Sequence, residues 1–467
     1  MLRRAIVFIV IVAALYCCGC DALVTRPGLA ARRLFGRLPT GHEFTSQAFD
    51  DAMTAVAHSP MRKANSATFL CNGEQIFPCM LADIRRAKRE ILFATYIYHS
   101  DDVGLAFAKA LAERAKAGVQ VRVLYDFFGS ISITDREPFD ILRDAGAKVN
   151  SFNPIESWTI LRLNNRLHAK MMVVDGEIGY TMGHNISNKY NEGGLTSGKW
   201  RDSGMRIEGP VALDLRSCFA YLWQESTGAF FKHRIPLPIV DLVATKITQA
   251  FSGRYPWPPK DWRDADEELK SDQVVDEALR APSKGNAPAR VLFTEPGWWS
   301  EEIYQAILLA IRSSNKSIDI THGYFLPDHP IALALREAAS RGVKVRVLMA
   351  DVLDLYLTKK TSLECTRRLC RKGVEIYAYS SALLHSKTIV VDGIWSTVGS
   401  TNMNGRSFFL NYECNLEVID AAFAAQLTEA FERDIRHSLL LKEKDLRPRN
   451  PLQWLIQQVL YVAKDQL

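Results

Sequence analysis

A chain of 467 residues, 48% of them hydrophobic, has enough apolar material for two cores of ordinary size, which excludes a disordered chain or a single small domain. Its net charge of +6 is mild, compatible with an anionic lipid surface or with nucleic acid, and it selects neither. Nine cysteines include one tight group, at 17, 18 and 20; Cys71, Cys79, Cys218, Cys365, Cys370 and Cys414 read as buried thiols rather than a disulfide framework, and no metal site is expected.

The chain starts with Arg3 and Arg4 followed by the apolar run AIVFIVIVAALY, then Cys17-Cys18-Gly19-Cys20. Two readings of residues 1–24 stay open: a signal with a lipoprotein-like processing site, or an uncleaved membrane anchor. For an anchor, Arg26, Arg32, Arg33 and Arg37 outnumber Arg3 and Arg4 and place the body inside. Residues 25–66 form a lead-in with a helix expected around Glu43 to His58. A first lobe over 67–232 then alternates strands and helices: strand Thr68 to Cys71, helix Ile76 to Ala87, strand Glu90 to Ile97, helix Gly104 to Ala117 and the apolar strand Val119 to Tyr125. Helix 137–145 and strand 147–152 follow, and helix 211–226 closes the lobe. Such alternation predicts an α/β fold with a mostly parallel or mixed sheet flanked by helices.

Residues 167–185, LHAKMMVVDGEIGYTMGHN, return as LHSKTIVVDGIWSTVGSTN at 384–402. Each copy reads strand, Asp-Gly turn, strand, which is a hairpin signal. With Asp175-Gly176 as a two-residue loop, Val174 pairs with Glu177, His168 falls opposite Gly183, and Asn185 returns to the face of His168 and Lys170. Asp392-Gly393 places Asn402 beside His385 and Lys387 in the same way. A Lys and an Asn amide suit the oxygens of a phosphodiester, and an imidazole can attack phosphorus or move a proton. Two facing copies supply a nucleophile and a general acid, with Asp202 and Glu413 as carboxylates to orient the imidazoles. Asp175 and Asp392 read first as turn formers and second as catalytic.

Residues 233–289 form an inter-lobe linker and insertion, with an amphipathic helix expected at Leu237 to Phe251. Tyr255, Trp257, Trp298 and Trp299 either line an acyl-chain groove, meet a lipid interface or pack ordinarily. The second lobe, 290–442, repeats the order of the first: strand 291–296, helix 300–313, strand 317–325, helix 330–341 and strand 343–351. Gly118 to Gly342 is a step of 224 residues and His168 to His385 a step of 217, so the lobes descend from a duplication and share one active site across a pseudo-two-fold axis. In the last segment, 443–467, Leu452, Leu455, Ile456, Val459, Leu460 and Ala463 form one helical stripe, read as a docked or an interfacial helix.

The paired His-x-Lys-x4-Asp motifs resemble those of the phospholipase D superfamily. TYIYHSDDVGLAFAKAL (95–111), GVQVRVLYDFFGS (118–130), WRDSGMRIEGP (200–210), ITHGYFLPD (320–328) and SFFLNYECNLEV (407–418) are similar to bacterial cardiolipin synthases of that type. The resemblance implies two phospholipase D-like lobes and a reaction without cofactor, through a phosphatidyl-histidine that passes to phosphatidylglycerol. The donor is phosphatidylglycerol or phosphatidylethanolamine, and the setting is a bacterial inner membrane, its face left open. The alternative is a hydrolase releasing phosphatidic acid or, further off, an anchored nuclease. No run of interleaved basic and aromatic residues calls for nucleic acid. His168 is expected to attack and His385 to act as acid, although symmetry leaves that order open. One departure from the family pattern, Met182-Gly183 where the second copy has Gly399-Ser400, is expected to reshape the first phosphate cradle.

Overall fold

The computed structural model describes residues 43–130, 136–154, 164–191, 200–227, 285–297, 300–351 and 364–446. The segment 1–24, the helix expected at Leu237 to Phe251, Tyr255, Trp257, Trp298, Trp299 and the stripe from Leu452 lie outside the described residues. Within them no helix is long and apolar enough to cross a membrane.

One mixed sheet runs through both lobes. Its middle is an antiparallel pair, Arg62–Cys71 with Ala287–Thr294. On one side follow Ser203–Glu208, Ile178–Met182, Met171–Val174, Glu90–Thr95, Gln120–Asp126 and Lys148–Phe152; on the other, Asn411–Ile419, Trp395–Gly399, Lys387–Val391, Ser317–His322, Lys344–Ala350 and Glu375–Tyr379. The two series are the same list read twice, the structural form of the duplication. The outer strands are parallel and buried on both faces. One face is covered by helices Asn72–Arg86, Asp102–Lys116 and Glu302–Ser313, His329–Ser340, the other by Val211–Ser226 and Ala421–Ile435, where the buried charges Glu90 and Asp319 are paired with Arg216 and Arg346. Gly118 and Gly342 end the matching helices at φ +89° and +92°, a backbone setting that a side chain opposes.

One feature departs from expectation and two add to it. First, the Asp-Gly turns take three residues instead of two: Val174 pairs with Ile178 and Val391 with Trp395. Asp175 and Asp392 both sit at φ +53°, and their carboxylates accept the backbone N–H groups of Lys88, Arg89, Glu90 and of Asn315, Lys316, Ser317 at 2.7–3.0 Å. Pinned to the next strand in this way, each turn takes an extra residue and the pairing shifts by one. Second, the lead-in helix, Gln47–Ala57, packs Phe49, Met53 and Ala57 into the core of the second lobe beside Ile307 and Ile311. Third, a short edge strand, Ser438–Leu441, pairs with Glu375–Tyr379.

Two further strands of two residues each cross between the lobes. Arg166–Leu167 runs parallel to Asn411–Tyr412, and Leu383–Leu384 parallel to Trp200–Arg201. Each immediately precedes a motif histidine on one lobe and a carboxylate on the other. The backbone N–H groups of His168 and Ala169 donate to Tyr412 O, and that of His385 to Arg201 O.

Candidate active site

These crossings decide which carboxylate each imidazole meets. His168 Nδ1 lies 2.8 and 2.9 Å from the two carboxylate oxygens of Glu413, and His385 Nδ1 lies 2.7 Å from Asp202 Oδ2. Each histidine is therefore held by the opposite lobe, and a hydrogen bond through Nδ1–H leaves Nε2 free to react. Lys170 Nζ donates to the His168 carbonyl at 2.7 Å, and Lys387 donates to that of His385. Asn185 Oδ1 accepts from Ile97 N at 3.0 Å, while its Nδ2 donates to the Tyr190 hydroxyl. Asn402 Oδ1 is buried without a partner.

With Val174 opposite Ile178, the ladder ends with the Met182 N–H on the Lys170 carbonyl, and Asn185 lies past the strand, in the loop that follows. The expected strand register for Asn185 is thus corrected; a loop carries it. Asp175 and Asp392 follow their first reading, as turn formers, and their second, catalytic reading is corrected. Saturated by backbone amides, they sit at the far end of their hairpins, roughly 16 Å along the chain from the lysines at ~3.3 Å per residue.

The carboxylates are supported differently. Glu413 also accepts from Ser400 Oγ at 2.5 Å and Asn411 Nδ2 at 3.2 Å. Asp202 Oδ1 takes its own neighbour's N–H, from Ser203, at 2.7 Å, and a Cβ placed on Gly183 would lie 2.1 Å from that oxygen. The Gly183/Ser400 difference therefore acts on the carboxylates, not on a phosphate cradle. Sequence reasoning missed the rings around the imidazoles: Tyr96 at 5.3 Å from His168, and Trp200, Tyr190 and Tyr324 at 5.1–6.0 Å from His385. It also passed over His184, buried against Phe77 and Tyr190. Trp200 and Tyr324 fall inside motif stretches already singled out, but an aromatic residue in a half-buried strand carries no signal of what it faces.

Burial sets the electrostatics. It pushes His168 down to about 4 against the pull of Glu413, holds His385 well below the ordinary imidazole value with Lys387 adding to the effect, and lowers Lys170 to about 7. Burial raises Asp202, whereas His168 and Lys170 outweigh it at Glu413, which stays below the usual carboxylate range. Burial thus favours the neutral form of both imidazoles, and an arriving phosphodiester anion favours protonation of one of them.

The same burial has a cost in acid. Burial also holds His184 at about 4 and His322 at about 3. For a base whose folded pKa lies below its unfolded value near 6.5, the unfolded chain binds the extra proton, so stability rises with pH across that interval. The melting temperature is expected to fall steadily from pH 6.5 to 4.5, and His322→Gln to flatten the slope; a melting temperature constant over that range contradicts the assignment.

Two α/β lobes exchanging His–carboxylate pairs around facing lysines define a two-lobed enzyme of the phospholipase D class. The chain belongs to the family described as cardiolipin synthase, phospholipase D-like domain, whose profile matches residues 80–223 and 307–435. It is 30% identical over 392 residues to cardiolipin synthase 1 of Bacillus cereus, covering 84% of this chain and 70% of that one. It is also 30% identical over 418 residues to cardiolipin synthase A of Pseudomonas putida, covering 89% and 78%. The crystal structure of the phosphatidylserine synthase of Haemophilus influenzae shares the fold at TM-score 0.63 and 16% identity, over 89% of this chain and 98% of that one.

Proposed function

We propose that the chain is a cardiolipin synthase that moves a phosphatidyl group from a donor phospholipid to phosphatidylglycerol. The observation that carries the reading is the reciprocal pairing: two imidazoles, each oriented by a carboxylate of the opposite lobe, with a buried lysine beside each. His168 Nε2 attacks phosphorus while the bond to the head-group oxygen breaks, and His385 gives that oxygen its proton. The ionised Glu413 on Nδ1 supports the positive ring of the phosphatidyl-histidine. His385 then takes the proton of a phosphatidylglycerol hydroxyl, the new P–O bond forms, and the P–N bond breaks. Lys170, Lys387, Asn185 and Asn402 hold the phosphoryl oxygens. Phosphatidylglycerol and phosphatidylethanolamine both fit as donor, and the apolar segment near the N-terminus supports a tether to the bacterial inner membrane.

The test is product analysis of the purified protein in phosphatidylglycerol vesicles with and without phosphatidylethanolamine. Cardiolipin is expected, and the released glycerol or ethanolamine names the donor. Phosphatidic acid without cardiolipin replaces the reading by a hydrolase.

A further inference from the structure

The pseudo-two-fold axis repeats the backbone of the site but not its chemistry. The crossing strands set Arg166 beside Asn411 near one histidine and Leu383 beside Trp200 near the other. Counted from the histidines, Tyr190 corresponds to Ser407 and Lys189 to Arg406; counted back from the carboxylates Asp202 and Glu413, Trp200 corresponds to Asn411. One rim of the cleft thus surrounds His385 with three rings, while the other brings amides and guanidinium groups to His168.

On that polar rim one acceptor lacks a donor. Asn411 Nδ2 donates to Glu413, which fixes the amide's orientation and leaves Asn411 Oδ1 buried without a partner. A hydroxyl-bearing ligand satisfies it, and an unmade buried hydrogen bond is costly enough to ask for one. Beside it stand two cations. Arg406 is half-buried and donates to the Asn164 side chain at 3.0 Å and to the Asn164 carbonyl at 3.2 Å. Arg166 donates to the Asn165 carbonyl at 2.8 Å, lies 4.7 Å over the Phe128 ring and reaches Asp126 only at 3.4 Å. Both guanidinium groups act electrostatically on Tyr96, the ring against His168, and Arg406 acts on Arg166.

We propose that this rim is the subsite for the phosphoglycerol head of the acceptor lipid: the amide oxygen of Asn411 accepts a glycerol hydroxyl, and Arg406, backed by Arg166, holds the phosphodiester that is not cleaved. The proposal rests on the transferase reading above. It separates an acceptor carrying its own phosphate from a bare alcohol, because a guanidinium gains a charge-assisted bond only from the former.

The test compares two acceptors for one phosphatidyl group. The full-length protein is given phosphatidylglycerol vesicles and labelled glycerol, and both cardiolipin and labelled phosphatidylglycerol are counted. In Arg406→Gln the ratio of cardiolipin to glycerol exchange is expected to fall about tenfold through a raised KM for the lipid acceptor, and Arg406→Lys to recover part of it. Equal loss of both products, or loss of neither, overturns the subsite. Native protein that makes neither product removes the transferase reading instead.

Discussion

His168→Ala and His385→Ala are each expected to lower cardiolipin formation by on the order of 10⁴-fold or more, because in the proposed mechanism each imidazole takes part in both halves of one displacement and residues acting as a unit fail together. Substantial activity left in either variant would sink the shared site. The two losses separate with a donor whose head group is nitrophenol. That leaving group needs no proton, so His385→Ala keeps a burst of nitrophenol while His168→Ala gives none. A burst from His168→Ala alone reverses the order of the two roles.

Gly183→Ala should also be damaging, less so than loss of a histidine, although residue 183 touches no substrate. The new Cβ would lie 2.1 Å from Asp202 Oδ1 and 2.8 Å from its Cγ, so the carboxylate must leave the position in which it holds His385. Loss of such an orienting carboxylate costs about a hundredfold in activity. Ser400→Gly, the reverse exchange in the other copy, removes one of several donors to Glu413 and leaves Asn411 and His168 on it, so about tenfold is expected. Measuring kcat for both variants beside their melting temperatures decides the matter. Equal losses would mean that the two half-sites are interchangeable.

Much of this architecture is legible because the chain states it twice. The repeat gave the two hairpins, the matching strand order and the His, Lys and Asn of each copy, since a strand period of two and an Asp-Gly turn are strong local signals. The register failed by one residue because the carboxylates of Asp175 and Asp392 bond to strands 85 and 75 residues away in sequence, which no local pattern records. The reciprocal choice of carboxylates escaped for a similar reason. It depends on strands of two residues, Arg166–Leu167 and Leu383–Leu384, too short for any period. The lead-in helix was found, but an amphipathic face does not say which lobe it covers.

The crossing strands also bear on why both halves belong in a single gene product. A half-length ancestor with one histidine and one carboxylate would complete its site only by self-association, and its two centres would then be identical by symmetry. Fusion replaces that encounter by a tether, which keeps the halves together at any expression level. It further frees each half to drift on its own. The Asp and Glu, the Gly and Ser, and the aromatic and polar rims are differences that a homodimer could never encode, and a displacement reaction asks its two histidines for unlike work. Neither half can decay into a passive scaffold, because discarding its carboxylate would disable the histidine of the other.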